Sequence, residues 1–304
     1  MLSVLVALAA NLGIATAKGI AAALTGSAAL FAETVHSVAD AGNEVLLYIA
    51  VRRSERPPDD LHPFGHGPER YYWALLAAIG MFLVGGAVSV WEGINALVEP
   101  RRLEYFWVGV SVLVVALVLD GLSRVVAVRQ LRLEARRRDI SMLTLLRESP
   151  DPALTTVYLE DSVDVLGAGL ALTALVLHKT TGAEWPDAFA TILIGCLLAF
   201  VATRLTRRNR ELIANQAVPP RYVERLRGRL EGQAGIAAVA RLEAVYLGAS
   251  EVLVAADVLM EPGLGVEDAA QALARARTRI HQEAPVIARL YLTPVPHEQG
   301  ENGA

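Results

Sequence analysis

Apolar runs of about 20 residues recur through the first two thirds of this chain, each long enough to cross a bilayer core of roughly 30 Å. In such a solvent every backbone polar group must be satisfied within the chain, as an α-helix does. The runs predict six spanning helices, at about 2–24, 29–51, 71–97, 105–128, 153–178 and 185–206. The mean hydropathy of +0.40 over 304 residues agrees, since soluble domains rarely reach it. Frequent glycines in the runs are those of closely packed membrane helices. The first run has no charged segment before it, so it reads as a spanning helix and not as a cleaved signal.

Arg and Lys set the orientation. The 52–70 and 129–152 loops carry ten (Arg52, Arg53, Arg56, Arg70, Arg129, Arg132, Arg136, Arg137, Arg138, Arg147). The 25–28, 99–104 and 178–186 turns carry three (Arg101, Arg102, Lys179). The positive-inside rule then places both termini in the cytoplasm. From about 210 onward charges recur every few residues. The reading is a membrane domain over 1–208 and a cytoplasmic domain over 209–304. In the latter, 219–232 and 265–283 have helical periodicity, while 236–247, 251–260 and 286–293 read as strands. The order αββαβ predicts a small α+β sandwich with no catalytic motif. No basic run or nucleic-acid motif is present, so nucleic acid is excluded as a partner. Cys196 stands alone in an apolar run and reads as a small buried hydrophobe.

The second run breaks the apolar pattern. "FAETVHSVADAGNEVLL", residues 31–47, carries Glu33, His36, Asp40, Asn43 and Glu44. His36 and Asp40, four apart, share a helix face. A charge at bilayer depth costs at least about 2.5–3.5 kcal/mol, so the pair must face the bundle interior and find a partner. Imidazole with carboxylate suits a borderline divalent cation such as Zn²⁺; a hydrogen bond between packed helices is the alternative. The fifth run, "VYLEDSVDVLGAG" over 157–169, brings Glu160, Asp161 and Asp164 into another apolar stretch. Two spans that each carry buried acid favour the cation. A third group, Asp59, His62 and His66 in "PPDDLHPFGHGPERYYW", has the spacing for a compact loop to present three N/O ligands. Glu33 and Asn43 line the pathway or bond neighbouring helices. Glu44 and Glu92 read as contacts near span ends, His178 and Lys179 as solvated loop, and Asp120 with Arg124 as an i,i+4 ion pair.

These residues together resemble the cation diffusion facilitator family of zinc-transporter type, over the whole chain. His36-x-x-x-Asp40 is similar to its second-span HxxxD, and "DDLHPFGHG" to its DDxHxFGHG loop. "FAETVHSVADAGN" and "LEDSVDVLG" are most similar to the subgroup related to zinc transporter nine. The resemblance implies a metallochaperone-like, ferredoxin-like tail, a homodimer in the lipid bilayer, and export of divalent cations from the cytoplasm in exchange for protons. It implies no enzyme activity and no prosthetic group. Zn²⁺ comes first, with Mn²⁺, Fe²⁺, Co²⁺ and Cd²⁺ open. It makes His36 and Asp40 transport ligands, and Asp59, His62 and His66 a loop site. A membrane-anchored metal sensor that does not transport is the competing reading; flux across sealed vesicles separates the two.

The sequence departs from the family in four places. The fifth span has no histidine, with Val157 standing four before Asp161. Pro68 follows the loop motif where a lysine is usual, which removes that position from the dimer's charge interlock. The tail strands lack histidines, His281 and His297 sitting elsewhere, so the tail metal site is expected to be absent or reduced. The His-rich loop of many eukaryotic members is missing. The fifth-span ligand stays open between two arguments. Spacing favours Glu160 with Asp164, which repeat the His36–Asp40 interval. The family's site aspartate six residues before a glycine favours Asp161, since Gly167 follows it at that distance. Small residues fix the register of packed helices, so Asp161 ranks first, Glu160 second as adjacent ligand or proton carrier, and Asp164 third.

Overall fold

A computed structural model describes residues 2–296; His297 lies outside them. The chain forms two compact units, one of 1–53 with 69–210 and one of 54–68 with 211–304.

The first unit is helical: α1 (Leu2–Thr25), α2 (Ala28–Ser54), α3 (Glu69–Gly80), a π-helical turn (Met81–Ala87), α4 (Val88–Val98), α5 (Phe106–Arg137), the short α6 (Met142–Glu148), α7 (Pro152–Thr181) and α8 (Trp185–Ile213). α3, the π turn and α4 run on as one helix, Glu69–Val98. That helix, α5, α7 and α8 are each long and apolar enough to cross a membrane. Local chemistry sets the ends. Ser141 caps α6 by accepting from the Thr144 N–H at 3.0 Å. Asp151 caps α7 by accepting from Ala153 N–H at 3.1 Å, with Pro152 at the first helical position where its missing N–H costs nothing. α2 borrows its cap from α8: Asp187 accepts from Ser27 Oγ at 2.5 Å and from Ala28 N–H at 2.6 Å. This places a carboxylate on the positive end of the α2 dipole.

Burial in this unit is inverted relative to a soluble protein. Trp91, Trp107, Leu122 and Phe200 are exposed, Trp107 by 75 %, while Lys18, Glu33, His36, Asn43 and Glu160 are buried. Small side chains let the helices approach. A Cβ on Gly93 would stand 3.0 Å from the Ala188 carbonyl, and one on Gly195 2.7 Å from Val90 N, so α4 and α8 pack nearly backbone to backbone. Leu30, Leu113, Ala171, Leu175, Ile194 and Leu198 fill the space between.

The second unit follows the order α9 (Pro220–Glu231), β1 (Ile236–Gly248), β2 (Glu251–Met260), α10 (Val266–Glu283), β3 (Ile287–Val295). The sheet order is β1-β2-β3, with β2 antiparallel to β1 and parallel to β3. A parallel pair needs a crossover, which α10 supplies. Alternate residues of β2, Val252, Val254, Ala256 and Val258, are buried. They belong to one face of the strand. Leu226 and Leu230 of α9, and Ala272, Ala276 and Ile280 of α10, recur at four-residue intervals and are buried too. The 54–68 loop belongs to this unit and not to the helical one. Its Gly67 lies so close to Leu247 and Gly248, at the β1–β2 turn, that a Cβ would meet the Leu247 carbonyl.

Candidate metal centre

Two groups of side chains could each hold a divalent cation. The first is intramembrane. His36 and Asp40, one turn apart on α2, face α7. His36 Nδ1 lies 3.3 Å from Asp40 Oδ2, and His36 Nε2 lies 3.2 Å from Asp164 Oδ1. One ligand atom from each residue falls within 4.8 Å of the others. Four ligands at about 2.1 Å around a tetrahedral ion sit about 3.4 Å from one another; the two carboxylates lie on opposite nitrogens of the ring, so the three ligand atoms, within 4.8 Å, must draw in around one nitrogen to hold an ion. Neither ring nitrogen has hydrogen-bond geometry, and Asp40 Oδ1 is buried without a hydrogen-bond partner among the described residues. Buried polar atoms left in that condition are those a cation would satisfy.

The three fifth-span carboxylates separate. Asp164 joins His36 and Asp40. Glu160, one turn away on the same face of α7, is buried and accepts from Asn43 Nδ2 of α2. Asp161 turns to α5 and accepts from Ser123 Oγ at 3.3 Å. By position Asp164 is the carboxylate beside His36, while Asp161, ranked first from the glycine spacing, lies beside α5. Gly167 does fix the α2–α7 approach, but it does so by making room for Glu33, which a Cβ there would strike. Asp120 and Arg124 also differ from expectation. Arg124 donates to Ser162 Oγ and lies 5.6 Å from the Tyr158 ring, while Asp120 Oδ2 is buried without a hydrogen-bond partner among the described residues. α5 packs along α7, and its polar residues turn to that neighbour. Cys196 is exposed, unlike the buried position expected of it.

Polar contacts continue along α2 in steps of three and four residues. Towards its start, Lys18 Nζ of α1 lies 2.9 Å from Glu33 Oε2 and 3.0 Å from Ser37 Oγ. Towards its end, Asn11 Nδ2 of α1 donates to Glu44 Oε1 at 2.6 Å. Lys18 and Asp187 were missed in the sequence. A lone lysine at the centre of an apolar span was the available signal, because a charge there marks function unless a partner explains it.

The second group lies in the 54–68 loop. Asp59 and His62 exchange backbone hydrogen bonds at 3.2 Å each way, and Gly65, with φ of +89°, turns the chain so that His66 comes back. Asp59 Oδ1 accepts from the His62 N–H at 2.7 Å and lies 3.2 Å from His62 Nδ1; Oδ2 lies 3.0 Å from His66 Nε2. The two imidazole centroids are 4.2 Å apart. Hydrogen bonding to His66, and then to the His62 backbone, holds the Asp59 carboxyl down at about 2, below the ordinary carboxylate range. On α10, His281 is exposed and its Nδ1 lies 3.0 Å from the Arg277 carbonyl.

The transmembrane domain of the cation efflux family matches residues 4–214. The chain belongs to the cation efflux family. This cation efflux protein is 33 % identical over 234 residues to a proton-coupled zinc antiporter, SLC30A9, mitochondrial, of Homo sapiens, across 77 % of this chain and 41 % of that one. It is 31 % identical over 189 residues to metal tolerance protein C4 of Arabidopsis thaliana, across 62 % of this chain and 41 % of that one. It is 30 % identical over 196 residues to the cation-efflux pump FieF of Serratia proteamaculans, across 64 % and 59 %. The chain thus spans less than two thirds of each relative's length. With the family and the four apolar helices together, it is a multi-pass integral membrane protein.

Proposed function

We propose that this cation efflux protein exchanges a divalent cation, Zn²⁺ first, for protons across the membrane. The observation that carries the reading is the His36–Asp40–Asp164 group, a buried imidazole with two partly buried carboxylates between two helices of an apolar bundle. Glu160, on the Asp164 face of α7, supplies the fourth ligand once Asn43 releases it. One imidazole with three carboxylates takes Zn²⁺, and the nitrogen ligand weighs against the hardest cations. Metal binding needs neutral imidazole and ionised carboxylates, so loading releases protons and reprotonation expels the metal. Relatives named as a proton-coupled zinc antiporter and a cation-efflux pump support the same chemistry.

In this reading all six long helical stretches cross the bilayer, with α1 and α2 as the first two. The Arg-rich loops and both termini are cytoplasmic. Residues 209–304 dimerise the protein through their sheet and helices, and Asp59, His62 and His66 form a separate cytoplasmic metal site. The test is the purified chain in proteoliposomes under an imposed pH gradient, with Zn²⁺, Mn²⁺, Fe²⁺, Co²⁺ and Cd²⁺ compared. Proton-driven flux, largest for Zn²⁺, is expected. Stoichiometric binding with no flux of any metal would replace the transporter by a membrane-anchored metal-binding protein.

A further inference from the structure

Lys18 and Glu33 are among the most deeply buried charged side chains described, 1 % and 0 % exposed, and they form a second polar layer beside the His36–Asp40–Asp164 group. On α2, Glu33 stands three residues before His36. On α7, Gly167, which gives Glu33 its room, stands three residues after Asp164. The two helices are antiparallel along this stretch, so both intervals run the same way and the layers lie one turn apart. The pair satisfies only part of Glu33. Oε2 meets the Lys18 ammonium at 2.9 Å, while Oε1 is buried with no hydrogen-bond partner among the described residues. Lys18 is itself held from the far side by Ser37 Oγ at 3.0 Å. An ion pair whose only task was to join α1 to α2 would carry a large desolvation cost that apolar side chains of similar volume avoid.

We infer that Glu33 is the next station of the transported cation beyond the His36–Asp40–Asp164 group, and that Lys18 is a tethered cation occupying that station until the ion displaces it. The inference rests on the transporter reading above. The ammonium and the arriving divalent ion compete for one carboxylate. While Lys18 holds Glu33, the layer is neutral and the cation at His36 has no second acidic ligand to move to. When the cation approaches, its charge repels the ammonium, and the free oxygen of Glu33 is already in place to receive it. Lys18 therefore acts on the metal through Glu33, as a positioning residue.

The 304-residue chain in detergent would be titrated with Zn²⁺ and Co²⁺ by equilibrium dialysis, then reconstituted for flux. Lys18→Met leaves an added negative charge one turn from the site and should tighten binding; Glu33→Gln leaves an added positive charge and should weaken it, each by about tenfold or more at such separations in a low-dielectric bundle. Lys18→Met/Glu33→Gln is neutral, of similar shape, and the variant best placed to fold. It should bind close to wild type yet move metal about tenfold more slowly, because the station is gone while the local charge balance is kept. A purely structural pair predicts weaker binding in all three variants in step with lost thermal stability. That result overturns the inference, as does wild-type flux in the double variant or equal affinity in all four proteins. Wild-type protein that binds no metal overturns the transporter reading and this inference with it; wild-type binding without the opposed shifts overturns this inference alone.

Discussion

The two groups of candidate ligands are chemically alike and are built in opposite ways. Each joins histidine to carboxylate with nitrogen and oxygen about 3 Å apart. The loop group comes from eight consecutive positions and is shaped by its own backbone, with Asp59 and His62 tied at both ends and Gly65 turning the chain. The intramembrane group comes from two helices far apart in sequence, and its geometry depends on how α2 and α7 pack. Asp59 is half exposed and hydrogen-bonded, whereas His36 is buried without a hydrogen bond to either nitrogen. Water reaches the loop group freely, whereas in the bundle the imidazole is enclosed and the two carboxylates are only partly exposed. In the proposed function the difference would separate a site that holds a metal from one that passes it on.

The largest test of that contrast is to remove one intramembrane ligand. His36→Ala, Asp40→Ala and Asp164→Asn should each cut flux in proteoliposomes by roughly a hundredfold or more, the upper range for lost metal contacts, with elution by size exclusion unchanged. Asp161→Asn should stay within about threefold of wild type, as suits a residue outside the ligand layer. A dead Asp161→Asn beside an active Asp164→Asn would restore the original ranking. A smaller effect is expected from the loop. Removing Asp59, His62 and His66 together should reduce the metal bound in equilibrium dialysis by one equivalent per chain while flux falls by about tenfold at most. Unchanged stoichiometry would make the loop a turn and nothing more.

Acidification refines the loop's part. The Asp59 carboxyl is held at about 2 in the folded loop, below an unfolded value near about 4. Its stabilising bonds are therefore complete above the unfolded value and lost only as pH falls through the folded one. Near neutral pH Asp59 therefore stays ionised and takes up no proton itself. Asp59→Asn should lower Zn²⁺ affinity by one constant factor between about pH 5.5 and 7.5, giving parallel curves by competition dialysis. Curves that converge at low pH would show Asp59 exchanging protons itself. The smallest effect is assigned to His281, which is exposed on α10 and apart from both groups. His281→Ala should leave metal stoichiometry unchanged and stability within about 0.5 kcal/mol of wild type by thermal unfolding.

The loop group was legible because a short motif contains its own geometry: His62 and His66 are read as neighbours and found as neighbours. The carboxylate beside His36 was not, because it depends on helix rotation. Asp161 and the glycine it was matched to lie on different faces of α7. At about 100° per residue, Asp161 stands about 120° round from Gly167, while Asp164 and Glu160 stand about 60° and 20° away. Asking which carboxylates share the glycine's face would have chosen the pair that faces α2. The helical stretches and the strand order of the tail were readable from periodicity. The attachment of 54–68 to the tail unit was not, since it rests on a close approach of Gly67 to the β1–β2 turn that no local pattern encodes. Asp120 and Arg124 show the same limit: i,i+4 spacing offered a bond, and a second helix offered Ser162 instead.

The π turn at Met81–Ala87 bears on how the helix from Glu69 to Val98 tolerates change in length. A π turn is the trace of one residue inserted into an α-helix, and here its glycines lie against α8, with a Cβ on Gly86 falling 3.3 Å from Ala199 N. The wider repeat absorbs that residue: seven π residues turn the chain about as far as six α residues do. Deleting one position between 81 and 87 would therefore return the segment to the ordinary α repeat with Val88 onward close to its present phase, and Gly93 would still meet Ala188 and Ile192, where only a hydrogen atom fits. A deletion between 88 and 92 has no such slack and would turn Gly93 by about 100° off that contact. The π turn is thus a joint of adjustable length, and the eleven residues after it keep their neighbour at either length.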